Sequence, residues 1–274
     1  RLRTRGRDTV RHDRDPDGPG FLFVNSADAH QPWLEIPRGV DWVEPREAFD
    51  YQPVDGVDVW VDFLTGRMAE SERATFLEML SDVYDYGIHS ADHNLGVVVG
   101  ILERYGWLDS GYRLIVASDH GEFLGEHGLI DHGHYLYEPN NRVPLLVLDE
   151  GEPIDFPEPV SALVAHDLVL SGTLPSPLPA VTAATYPHLY RNERAGGMAF
   201  GETSAALWSD SHKLLEVDGV RRAYDLDADP GETSPLESVD LPAEAVMDAY
   251  TERARDSGVA RGEMDPMLRK ALEA

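Results

Sequence analysis

Val116 to Val147 reads VASDHGEFLGEHGLIDHGHYLYEPNNRVPLLV. An apolar run, Arg113 to Ser118 (RLIVAS), enters Asp119-His120-Gly121-Glu122, and a second, Val143 to Leu148 (VPLLVL), closes the stretch. Runs of this length bounded by polar clusters read as strands. Between them lie His120, His127, His132 and His134, four of the chain's 11 histidines. In open α/β sheets, ligands bind beyond the carboxyl ends of strands, so this stretch marks both the sheet and its site. Asp119 offers a hard anionic oxygen and His120 an imidazole nitrogen, a pair suited to a divalent cation. Gly121 permits a sharp turn and a close approach. By spacing alone, Asp119 serves equally well as a helix N-cap with His120 a bystander.

Upstream, Phe21 to Asn25 (FLFVN) is another strand, ending in Ser26-Ala27-Asp28-Ala29-His30-Gln31-Pro32-Trp33. Residues 34–66 mix Pro, Asp and aromatics without period and read as a long irregular excursion, and residues 1–20 as a loop. From Ser71 to Tyr105 the period is helical. Leu77, Leu80, Tyr84, Ile88, Ala91, Leu95, Val98 and Leu102 form one stripe, with Ser71 as cap and Gly106 as stop. Strands alternating with a helix predict a mostly parallel sheet covered on both faces. Prolines over 171–187 mark a boundary. Beyond it, Leu207–Val217 and Val220–Leu226 flank Asp218-Gly219, a hairpin signal, and 243–256 is helical.

Composition narrows the function. The 274 residues hold 50 acidic against 23 basic side chains, net −27, and lysine appears only as Lys213 and Lys270. Such a surface repels nucleic acid and anionic membranes and suits a medium where salt screens self-repulsion; a halophilic, haloarchaeal origin is expected. No run reaches the ~18 apolar residues of a membrane span, and no signal peptide is apparent, which favours a soluble, cytoplasmic protein. There is no cysteine, so neither disulfides nor thiolate metal sites arise.

The ordered sequence SDHGE-x-LGEHG, HG-x-x-LYE and RVPL in the opening stretch resembles the sulfatase branch of the alkaline-phosphatase superfamily. Phe21 to Trp33, Tyr84 to Gly96 (YDYGIHSADHNLG) and Lys213 to Thr233 (KLLEVDGVRRAYDLDADPGET) resemble further segments of that family. The resemblance implies an alkaline-phosphatase-like α/β fold lacking its N-terminal strands. Residues 1–180 would form the C-terminal part of the catalytic domain and 181–274 a small antiparallel α+β subdomain. It also implies roles. Asp119 and His120 are one pair of metal ligands, for Ca²⁺ first and Mg²⁺ or Mn²⁺ otherwise. His30 hydrogen-bonds the sulfate, and His132 contacts the ester and assists the leaving group. His134 also faces substrate, and Glu122 orients a ligand or holds the loop.

The family's first metal pair and its C/S-x-P-x-R segment, whose Cys or Ser becomes the formylglycine nucleophile, have no match. Ser176-Pro177 and Ser234-Pro235 lie elsewhere and lack the arginine. The expectation is therefore a fragment of a sulfuric ester hydrolase acting on a small-molecule or glycan sulfate ester, inactive alone. The rivals are a phosphonate or phosphodiester hydrolase or phosphoglycerol transferase of the same superfamily, and a non-catalytic degenerate member. The sequence assigns no oligomeric state.

Overall fold

The computed structural model describes residues 9–14, 20–30, 56–109, 111–133, 135–157, 159–176, 181–185, 188–189, 199–200, 204–217, 220–237 and 248. The chain forms two compact units: Arg1–Tyr112 with His127–Ile130, and Arg113–Glu126 with Asp131–Ala274.

In the first unit, β1 (Thr9–Arg14) pairs antiparallel with β2 (Gly20–Asn25), Thr9 opposite Asn25 and Arg14 opposite Gly20. The expected loop over 1–20 thus contains a strand. Two helices follow, α1 (Gly56–Leu64) and α2 (Glu70–Arg104). The aperiodic reading of 34–66 missed α1, whose Val61 and Phe63 are buried; residues 34–55 lie outside the described residues. Phe63 packs on Phe76 with ring centroids 5.6 Å apart. The Arg73 guanidinium covers the Phe63 ring at 3.6 Å and donates to the Phe63 carbonyl at 3.1 Å. Arg73 is half-buried, so this cation–π contact falls between the roughly 0.5–1 kcal/mol of exposed pairs and the about 2 kcal/mol of desolvated ones.

Helix α2 begins one residue before the expected start, with Ala69 as its N-cap and the Glu72 carboxylate accepting the Ala69 amide. It ends at Arg104 with Tyr105 as C-cap, and Gly106 follows at a φ of +71°, which suits glycine. The buried positions are Phe76, Leu80, Val83, Tyr86 and Gly87, all in its N-terminal half. Of the expected stripe, Leu80 is buried and Ile88 is exposed.

The second unit is built on β3 (Arg113–Ala117), β6 (Leu145–Asp149) and β7 (Glu152–Pro153), a three-stranded sheet in that order. Between β3 and β6 come the short β4 (Phe123–Leu124), β5 (Ile130–Asp131) and α3 (Glu138–Asn141). Strand β3 runs antiparallel to β6, Arg113 opposite Asp149 and Ala117 opposite Leu145. All strand pairings resolved in register among the described residues are antiparallel. The mostly parallel sheet expected from the sequence is not seen among them. A parallel neighbour needs a crossover connection of about a dozen residues or more, usually an α-helix; among the described residues the connection from β3 to β6 holds one α-helix, the four-residue α3.

Helix α4 (Val164–Ser171) buries Val164 and Leu168. Arg113 donates to the Leu168 and Gly172 carbonyls at 3.2 and 2.8 Å and to Asp149 at 2.9 Å. It thereby places a cation at the negative end of α4. Next come β8 (Val181–Thr185), the paired two-residue strands β9 (His188–Leu189) and β10 (Ala199–Phe200), β11 (Ser204–Ser209), β12 (His212–Val217) and β13 (Val220–Asp225). These give a four-stranded sheet ordered β13-β12-β11-β8. The expected single strand over Leu207–Val217 is two strands joined at Asp210-Ser211, with Asp210 at φ +49°. Val217 sits opposite Val220, as the hairpin reading requires; Asp218-Gly219 itself lies outside the described residues. So does 243–256, except for Asp248, which is helical. Leu136 inserts between Ala206, Leu215 and Tyr224, and the four make one buried cluster.

Candidate functional site

The site in the second unit begins where β3 ends. Ser118 continues the ladder by donating its amide to the Pro144 carbonyl at 3.3 Å. Its hydroxyl then donates to the His120 carbonyl at 2.7 Å. This bends the chain at once, and the His120 amide returns to Asp119 Oδ1 at 3.1 Å. Asp119 is therefore not a helix N-cap: coil and then β4 follow it.

The turn is held by α3. The Gly121 and Glu122 amides donate to the Asn140 and Pro139 carbonyls at 2.9 and 3.1 Å. A Cβ on Gly121 would stand 2.0 Å from the Pro139 oxygen, so only glycine permits this approach.

His120 Nδ1 lies 2.9 Å from the Gly121 carbonyl. A carbonyl only accepts, so Nδ1 carries the proton and Nε2 the lone pair. That Nε2 stands 3.8 Å from Asp119 Oδ1, and the Asp119 side chain is 91% exposed. An imidazole nitrogen and a carboxylate oxygen so placed are a donor set fit for a divalent cation.

The His132 ring stacks on His120 with centroids 4.0 Å apart and planes 18° from parallel. Its Nδ1 faces two buried carboxylates, Glu122 Oε2 at 3.0 Å and Asp131 Oδ1 at 3.1 Å. Burial pushes the His132 pKa down. The hydrogen bond to Glu122 and the charges of Glu122, Asp131 and Asp119 more than reverse this, and the net shift is upward. Asp131 occupies the left-handed region at φ +74°, an uncommon conformation for a non-glycine residue. Glu122, Asp131 and His132 bring their ligand atoms within 4.8 Å of one another.

Asp119, His120, Glu122 and His132 thus converge in one unit. His30 belongs to the first unit, exposed in the turn after β2, its amide donating to the Ala27 carbonyl at 3.1 Å. His134 lies outside the described residues. Asp131 was missed as a site residue: the sequence shows it beside His132, but its left-handed backbone and burial leave no mark there.

A family profile described as Sulfatase matches residues 2–174. A curated protein of Bacteroides thetaiotaomicron, an N-acetylglucosamine-6-O-sulfatase, is 40% identical over 58 residues, 21% of this chain and 10% of that protein. Similar solved structures include a 2-O GAG sulfatase, 15% identical, covering 96% of this chain and 58% of its own, with a TM-score of 0.48. Another, solved with its substrate D-glucosamine-2-N,6-O-disulfate, is 18% identical, covering 73% of this chain and 44% of its own, with a TM-score of 0.46. The chain spans less than two thirds of the length of these relatives.

Proposed function

Because the chain belongs to the sulfatase family, we propose that it supplies part of the active site of a sulfuric ester hydrolase. The observation that carries this is the His132 arrangement: an imidazole stacked on a candidate metal ligand, with Nδ1 against two buried carboxylates. Glu122 and Asp131 favour the imidazolium and fix the ring. His132 is thereby suited to donate a proton to a departing alkoxide. Asp119 and His120 would hold a divalent cation, Ca²⁺ first and Mg²⁺ or Mn²⁺ otherwise, which when bound neutralises charge on a sulfate group. From the family resemblance alone, His30 is proposed as a hydrogen-bond donor to a sulfate group. The nucleophile, a formylglycine, and the remaining metal ligands would come from outside residues 1–274. The 58-residue match to an N-acetylglucosamine-6-O-sulfatase supports a sulfated sugar as substrate. Among the described residues no helix is long and apolar enough to cross a membrane. The net charge of −27 supports adaptation to high salt.

The test has two arms. The 274-residue chain alone, given an aryl sulfate, Ca²⁺ and high salt, should show no turnover above background. The product of the whole open reading frame should hydrolyse the ester, and Asp119→Ala should abolish that activity. Turnover by the short chain that Asp119→Ala removes would place the nucleophile within it. Hydrolysis of a phosphodiester but not of any sulfate ester would replace the reaction class with the phosphorus-centred one.

A further inference from the structure

Lysine is nearly absent from this chain, yet Lys213 on β12 is completely buried. Its Nζ donates to Glu138 Oε1 at 3.1 Å and stands 4.8 Å from the Trp208 ring centroid. Glu232 Oε1 lies 2.6 Å from Nζ, an ion pair. Trp208 Nε1 donates to the same Glu138 oxygen at 2.8 Å, and Glu232 Oε2 accepts the Glu138 amide at 2.5 Å. Trp208 and Lys213 are cross-strand partners of β11 and β12. The four groups therefore come from α3, the sheet and the loop after β13. Removing one partner from such a buried group leaves the others buried and unpaired.

The network bears directly on α3. A four-residue helix is too short to hold itself together, and among its described residues only Asn140 is buried. Its place is set by Leu136 in the sheet's core and by Glu138 on Lys213. The next two residues of α3, Pro139 and Asn140, carry the carbonyls that receive Glu122 and Gly121. Glu122 in turn meets His132 at 3.0 Å.

We infer that Lys213 and Glu138 are positioning residues for the Asp119–His132 site. The buried ion network fixes α3, and α3 fixes the turn that carries Gly121 and Glu122. The inference rests on the proposed function only for what the positioned site does; it is tested without any turnover measurement, so the two fail separately.

The experiment is amide hydrogen exchange in the full 274-residue chain. Lys213→Met with Glu232→Gln removes the cation and one carboxylate at similar volume. Exchange at Gly121 and Glu122 should accelerate at least about tenfold. Exchange at Ile154, whose amide donates to the Val147 carbonyl, should stay within about twofold of wild type on the same scale of local opening. A purely structural lysine would give equal acceleration at all three amides, or none at Gly121 and Glu122, and either result overturns the inference. Should the double variant fail to fold, Glu138→Gln decides by the same amides. It keeps an oxygen for Trp208 and Lys213 but drops the charge.

Discussion

Two carboxylates converge on His132, and they do so from different directions along the chain. Glu122 arrives through the turn after β3 and Asp131 through a left-handed residue next to the ring. A general acid contributes about 10²–10⁴-fold to a rate. Accordingly, His132→Gln in the active protein should lower single-turnover sulfate-ester cleavage by about a hundredfold or more. A leaving group that needs no protonation should shrink the defect; a defect independent of leaving group would count against the acid role. Gly121 allows a second prediction. Its missing Cβ is the space the Pro139 carbonyl occupies, so Gly121→Ala must push α3 back. A loss of about 1–3 kcal/mol is expected, read from urea unfolding, and an unchanged midpoint would show that α3 yields freely. Asp119 and His120 were legible in the sequence as a candidate pair because charge and imidazole follow an apolar strand, while the role of His132 came only from the family resemblance. Lys213 was not legible. It shares a strand face with Leu215 and Val217, and the partners that explain its burial, Glu138 and Glu232, are distant in sequence.

The elements divide by whether their signal was local. Strands β2, β3 and β6 and helix α2 announce themselves through apolar runs or period, and their observed bounds fall within two residues of the expected ones. Helix α1 and strand β1 did not, since the nine residues of α1 carry little period and β1 (TVRHDR) has no apolar run. The sheet's direction was misread because direction depends on the connection. The chain from β3 to β6 looks long enough for a crossover but holds no long helix. The loop after β13 shows the same point at finer grain. Asp229 accepts the Thr233 and Ser234 amides at 3.1 and 2.8 Å, and Glu232 sits at φ +51°, almost fully buried. Burial, first, and Glu138 raise the Glu232 pKa, while Lys213 and the Glu138 amide lower it; the net shift is upward. A carboxyl whose folded pKa is raised contributes stability below its unfolded pKa and loses it as pH rises through the folded one. The stability of wild type relative to Glu232→Gln should therefore fall as pH climbs from the ordinary carboxylate value. Paired urea melts at several pH values would show it; a gap that is flat or opens in favour of wild type refutes the assignment.

At the scale of the whole molecule, a net charge of −27 outweighs any single contact. Unscreened carboxylates repel, so the folded state should gain with ionic strength. The melting temperature of the whole protein should rise from about 0.1 M to multimolar KCl on the scale of Debye screening. Sulfate salts at matched ionic strength serve as the control, since they also strengthen apolar burial. A melting temperature flat in chloride would remove the high-salt reading. No substitution at one surface residue should reproduce the effect, because the repulsion is spread over the sequence.

Lys213 also makes the chain a reporter of its own opening. Acylating reagents attack the uncharged amine, and this one is sealed from solvent by Glu138, Glu232 and Trp208. Covalent labelling at Lys213 should therefore proceed only as fast as the β11–β12 hairpin parts from α3. Mass spectrometry of the peptide carrying it would report how much of the chain is open, against a background almost empty of competing lysines.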